Sequence, residues 1–188
     1  MKGRPYITGE ESAAEPVPGR NYPTILIQSN GILNVGNDTW IYHGRWRNSA
    51  FKLRISPPGE DSKDYWGAIA LARLPRDRWG ALGLWASQNR GSVWTQPLTL
   101  PAHGRLLLNA SGVSGLRLAV GDEGFHALSG FGEGRPDSSS PDDFDAEVAW
   151  GGRTLSEVAG KTVRFHIFFA RSAAAEPRLF AAYLRDQP

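Results

Sequence analysis

Thr162-Val163-Arg164-Phe165-His166-Ile167-Phe168-Phe169 carries the clearest strand signal in the chain. Successive side chains of an extended backbone point to opposite sides of a sheet. Val163, Phe165, Ile167 and Phe169 therefore share one face, and Thr162, Arg164, His166 and Phe168 share the other. One face is wholly apolar and the other mixed, the pattern of a strand buried on one side. Working outward, Phe144, Ala146, Val148 and Trp150 alternate with Asp145, Glu147 and Ala149 until Gly151-Gly152 ends the run. Leu155 and Val158 pin a short connecting turn, and Leu179 to Leu184 supplies a last strand. Arg105 to Ala110, Leu116 to Val120 and Phe125 to Leu128 read as further strands, with Gly121-Asp122-Glu123-Gly124 as a hairpin turn. Gly130 to Asp143, mostly Gly, Ser, Pro and Asp, reads as a long loop.

The first half has the same grain. Ile25-Leu26-Ile27 and Gly31-Ile32-Leu33-Asn34-Val35 are followed by the turn signal Gly36-Asn37-Asp38 and then by Thr39-Trp40-Ile41-Tyr42-His43, which predicts a hairpin. Alternation puts Trp40, Tyr42 and Trp46 on one face and Ile41, His43, Arg45 and Arg47 on the other. Asn48 to Lys63 reads as a long loop, and Trp66 to Leu74 as a strand dense in small residues. Ser92-Val93-Trp94-Thr95-Gln96-Pro97-Leu98-Thr99-Leu100-Pro101, running on to Ala110, reads as a seam between two β-modules, with Trp94 and Leu98 buried where the halves pack.

Short strands between turn signals, without a sustained helical period, predict an all-β protein. The expected architecture is an antiparallel β-sandwich of jelly-roll or concanavalin-like type, with room for an extra β-meander packed on it. Residues 1–20 form an extended lead-in, and residues 21–188 one fused domain with a blade-like part at 21–84 and a sandwich part at 85–188.

Composition narrows the classes. Hydrophobic residues at 40% and charged residues at 21% are ordinary for a folded domain and argue against wholesale disorder. The absence of cysteine removes disulfides and thiolate metal sites. A net charge of +2 with scattered basic residues is a weak basis for nucleic acid, which is tracked by a concentrated basic stripe. No apolar run reaches the roughly 20 residues of a membrane helix, and Met1-Lys2-Gly3-Arg4-Pro5 leads into no apolar signal region. A soluble protein without nucleic-acid or membrane partners is expected, its compartment left open and secretion of a precursor form still allowed.

The run Gly31 to Gly44, followed by Gly67-Ala68-Ile69-Ala70-Leu71-Ala72-Arg73-Leu74, resembles the last propeller blade of bacterial glycoside-hydrolase-like proteins related to the invertase and fructanase group. Trp94 to Leu100 with Leu106 to Ala110 looks like the start of the β-sandwich that follows that propeller; Asp143 to Trp150, Leu155, Val158 to Lys161, Arg164-Phe165 and Leu179-Phe180 continue the likeness. In that family the nucleophile and general acid are carboxylates of earlier blades, for which this chain has no room. The resemblance implies a glycan-linked β-protein that keeps the ancillary sandwich and lacks the usual active site. It also admits a remnant of a larger propeller, whose open sheet edges would favour a homo-oligomer.

Sugars present apolar C–H faces ringed by hydroxyls, so their sites pair aromatic platforms with Arg, Asn or carboxylates. Trp46, Tyr65 and Trp66 flank the loop after residue 47 as platform candidates, with Arg45, Arg47 and Asn48 as hydroxyl partners; burial of the tryptophans in the core is the alternative. Glu147, Arg164 and His166, with Asp145, form a second candidate group on the outward face of the last module, against a reading as ordinary surface ion pairs. Asp137, Asp142, Asp143 and Asp145 could hold a structural calcium ion, though without the spacing of a calcium loop. No other cofactor is indicated, and no catalytic motif is present. The expectation is a non-catalytic, lectin-like polysaccharide binder. The alternative is a small glycoside hydrolase built from scattered carboxylates roughly 5–10 Å apart.

Overall fold

The computed structural model describes residues 7–8, 25–47 and 66–186, of which 25–30, 45–47 and 66–68 are described as backbone alone. The chain divides into two compact units at Arg76/Asp77. The first holds three strands, β1 (Ile25–Val35), β2 (Asp38–Arg47) and β3 (Trp66–Pro75), in an antiparallel meander of that order. Gly36, at φ +59°, opens the two-residue turn between Val35 and its partner Asp38; the left-handed value suits a tight hairpin and is open to glycine at no steric cost. Trp40 and Tyr42 share a face as the alternation predicts, their rings edge-on with centroids 6.3 Å apart. Thr39 and His43, of opposite parity, are buried.

The second unit is a two-sheet antiparallel sandwich, so the all-β expectation holds. Its strands are β4 (Leu82–Gly83), β5 (Arg90–Trp94), β6 (Leu98–Thr99), β7 (Gly104–Ser111), β8 (Leu116–Gly121), β9 (Arg135–Asp137), β10 (Asp142–Ala149), β11 (Thr162–Ala170) and β12 (Arg178–Asp186). The larger sheet runs β4-β12-β7-β10-β9. In the smaller sheet β11 is central, with β5 and β6 end to end along one side and β8 along the other. Leu106, Leu108 and Ala110 of β7, with Ala146 and Val148 of β10, belong to one buried cluster with Val163, Phe165, Ile167 and Phe169 of β11 and Leu116, Leu118 and Val120 of β8. Burying these side chains is the main stabilising term available to a chain without cysteines. Among the described residues no helix is long and apolar enough to cross a membrane.

Several local expectations need correcting. The seam from Ser92 to Ala110 is the crossing between the two sheets of one sandwich: β5 and β6 lie in the smaller sheet and β7 in the middle of the larger. Trp94 and Leu98 are half-buried rather than buried. Leu82–Gly83, within the expected blade-like part, pairs instead with β12 of the sandwich. Phe125 to Leu128 is not a strand, because Phe125 sits in a turn at φ +67° and only Ala127 bridges back, to Gly121. The long loop from Gly130 contains β9, which pairs with β10.

Candidate functional site

The outward parity of β11 assembles the most chemically distinctive surface among the described residues. Arg164, His166 and Phe168 point away from the core because Val163, Phe165, Ile167 and Phe169 point into it. Register then brings His166 opposite Trp94 of β5, where indole and imidazole stack at 4.0 Å and 19°. The Phe168 ring lies 3.9 Å from His166 on the other side. Phe125, arriving from the turn after β8, meets Trp94 edge-on at 5.4 Å. The result is a continuous row, Phe125-Trp94-His166-Phe168, about four rings long. Its inner members are half-buried, whereas Phe125 and Phe168 at the ends are 53% and 36% exposed.

Three local features hold the row in place. Gly121 lies under Trp94: a Cβ there would come within 2.7 Å of the indole, so only glycine lets the ring lie over β8. Arg164 donates to the Thr95 carbonyl at 2.8 Å and to the Glu123 carbonyl at 3.3 Å, and its guanidinium carbon lies 4.6 Å from the Phe125 ring centre. One side chain thus ties the 122–125 turn to Thr95, the residue after β5, and seats Phe125 by cation–π contact. Burial pushes the His166 imidazole below its ordinary pKa, so it stacks as a neutral ring at pH 7.

Across from Phe168, β8 borders a groove. Arg117 of β8 pairs in register with Phe168, and the Leu118–Gly134 bridge sets Arg135 beside Arg117. Both arginines, with Ser114, Ser138, Ser139 and Ser140, line a depression of about 400 Å³.

Of the residues expected to form a site, Arg164 and His166 come together here. Glu147 does not join them, since it lies on β10 in the other sheet. There it is held by Arg105 through a two-pronged ion pair whose Nε–Oε1 arm is 2.8 Å, and the hydrogen bonds of that guanidinium keep its carboxyl below the usual range. Asp145 pairs with Arg185 at 3.0 Å on the same sheet. The backbones of Arg45, Trp46, Arg47 and Trp66 lie in β2 and β3, with Arg47 paired to Trp66. Tyr65 and Asn48 lie outside the described residues. Trp94, Phe125 and Phe168 were missed, although the parity of Phe168 with His166 was readable.

The aspartates proposed for calcium have separate partners. Asp142 takes a two-pronged pair from Arg78, whose hydrogen bonds lower its pKa, and Asp143 accepts from the Ser138 hydroxyl at 2.5 Å. Burial pushes Asp143 up, but Ser138 and the backbone N–H groups of Asp145 and Phe144 outweigh it, and the carboxyl titrates below its ordinary value. Among the described residues no three acidic or histidine side chains converge on a cation site. Glu147, Asp142 and Asp143 are thus all stabilised as anions.

Fold and face together define a two-sheet antiparallel sandwich with an aromatic, arginine-flanked outer surface on its smaller sheet. Comparison with protein-family models, with curated proteins and with solved structures finds no match to this chain.

Proposed function

We propose that this protein is a non-catalytic carbohydrate-binding β-sandwich. The single observation that carries the proposal is the row Phe125-Trp94-His166-Phe168 on an outward sheet face beside Arg164. A contiguous exposed apolar patch, unlike a lone exposed apolar side chain, marks an interaction or ligand site. A row of rings with guanidinium donors beside it suits pyranose rings, whose axial C–H bonds pack on aromatic carbon while hydroxyls take hydrogen bonds. The strained φ of Phe125 supports the same reading, because such strain persists where a side chain must be held in a particular place.

Titration against a panel of neutral and acidic polysaccharides, read by affinity electrophoresis and calorimetry, tests the proposal. Binding is expected for at least one member, with affinity reduced at least tenfold in Phe168→Ala. Absence of binding across the panel, or binding untouched by Phe168→Ala and Phe125→Ala, would overturn it. Trp46→Ala and Trp66→Ala assign any remaining binding to the first unit. Sedimentation of the same preparation reads whether the open strands β1 and β3, edges of their sheet among the described residues, pair with a second copy.

A further inference from the structure

We infer that the glycan bound on this face is acidic, with an anionic oxygen group, a uronate carboxylate or a sulfate ester, seated in the groove between Arg117 and Arg135. The inference rests on the carbohydrate-binding reading and adds to it the class of sugar. Its basis is the way the two ends of the ring row differ. At the Phe125 end Arg164 is committed to the backbone carbonyls of Thr95 and Glu123. At the Phe168 end Arg117 spends, among the described residues, only Nη1, donating to the carbonyls of Ser114 at 3.0 Å and Leu116 at 2.5 Å, which leaves Nε and Nη2 with protons to offer. The Arg135 side chain makes no ion pair or hydrogen bond among the described residues.

Two guanidinium groups on one groove, neither paired with a carboxylate among the described residues, favour an anion there on a molecule of net charge only +2. Ser114 and Ser139 add hydroxyl groups around the same depression of about 400 Å³, while the hydroxyls of Ser138 and Ser140 donate to the Asp143 carboxylate and the Asp142 carbonyl. Planar guanidinium forks match carboxylate and sulfate oxygens in pairs, and a neutral sugar hydroxyl uses neither the charge nor the fork. Register sets Arg117 directly across from Phe168, so a ring stacked on Phe168 carries its acidic substituent toward the arginines.

The experiment compares the full chain against polygalacturonate, the same polymer after carboxyl reduction, a sulfated dextran, unmodified dextran and a single-stranded oligonucleotide of matched charge. Tighter binding to polygalacturonate or sulfated dextran than to their neutral counterparts is expected, and whichever of the two binds better identifies the anion. Arg135→Ala should weaken acidic-glycan binding roughly ten- to hundredfold, as expected for loss of a charge-assisted hydrogen bond. Arg135 is exposed, so an unchanged melting temperature separates lost recognition from lost folding. Equal binding of neutral and acidic polymers, dependent on Phe168 and indifferent to Arg117→Ala and Arg135→Ala, would overturn the acidic inference and leave carbohydrate binding standing. Binding of no glycan would remove both. Tighter binding of the oligonucleotide than of any glycan would also overturn it, since stacking rings and arginines serve nucleobases and phosphates as well.

Discussion

Arg78 shows how one side chain anchors the start of the sandwich. Its Nε donates to Oδ1 of the fully buried Asn109 at 2.9 Å, Nη1 reaches Asp142 at 3.0 Å, and the guanidinium carbon lies 4.2 Å and 4.5 Å from the ring centres of Phe144 and Phe180. These contacts join β7, β10 and β12 on the outer side of the larger sheet. Truncating Arg78 leaves Asn109 without this donor and Asp142 without its cation. The side chain of Arg78 is 11% exposed but that of Asp142 is 51%, so solvent screens part of the loss. Arg78→Ala is expected to lower stability by about 2 kcal/mol, less than the full range for a buried pair. Arg78→Lys should recover little, because a point charge replaces neither the fork nor the stacking. Urea unfolding of the three proteins checks both statements.

At the scale of elements, the turn between β8 and Phe125 trades backbone comfort for position. An aromatic residue at φ +67° pays a steric penalty that glycine avoids, while the ring gains its contacts with Trp94 and Arg164. The two terms are each about 1 kcal/mol and opposed. Phe125→Gly is therefore expected to stay within about 1 kcal/mol of the parent in stability while losing glycan affinity at least severalfold. Thermal unfolding beside calorimetric titration reads the two effects separately; a loss of stability with unchanged affinity would mean that Phe125 serves packing alone. Parity along β11 was legible in the sequence, and it correctly separated Arg164, His166 and Phe168 from the core side. The neighbours of that face were not legible, since cross-strand partners come from register between distant segments, which a two-residue period does not encode. For the same reason Glu147 alternates on its own strand as expected and still lies in the other sheet.

At the scale of the whole molecule, every member of the main buried cluster, from Leu100 to Leu179, belongs to the second unit. A segment with its own core is expected to fold alone. Residues 77–188 expressed without the first unit should unfold in one cooperative transition and retain the glycan binding assigned to Trp94, Phe168 and the two groove arginines. Circular dichroism and the same titrations test this, and a molten or non-binding fragment would place an essential contribution in residues 1–76.

The sequence by itself determined most of the longer strands and the inward face of β11, because alternation of apolar and polar residues is a local property, and turn residues such as Gly36 mark where strands end. It likewise determined that neither disulfide nor thiolate would support the fold. Only the tertiary structure decided that Trp94 stacks on His166, that Gly121 makes room for the indole, and that Arg117 and Arg135 meet at one groove. Those contacts depend on which strands pair and in what register. That choice is made by the packing of the whole core.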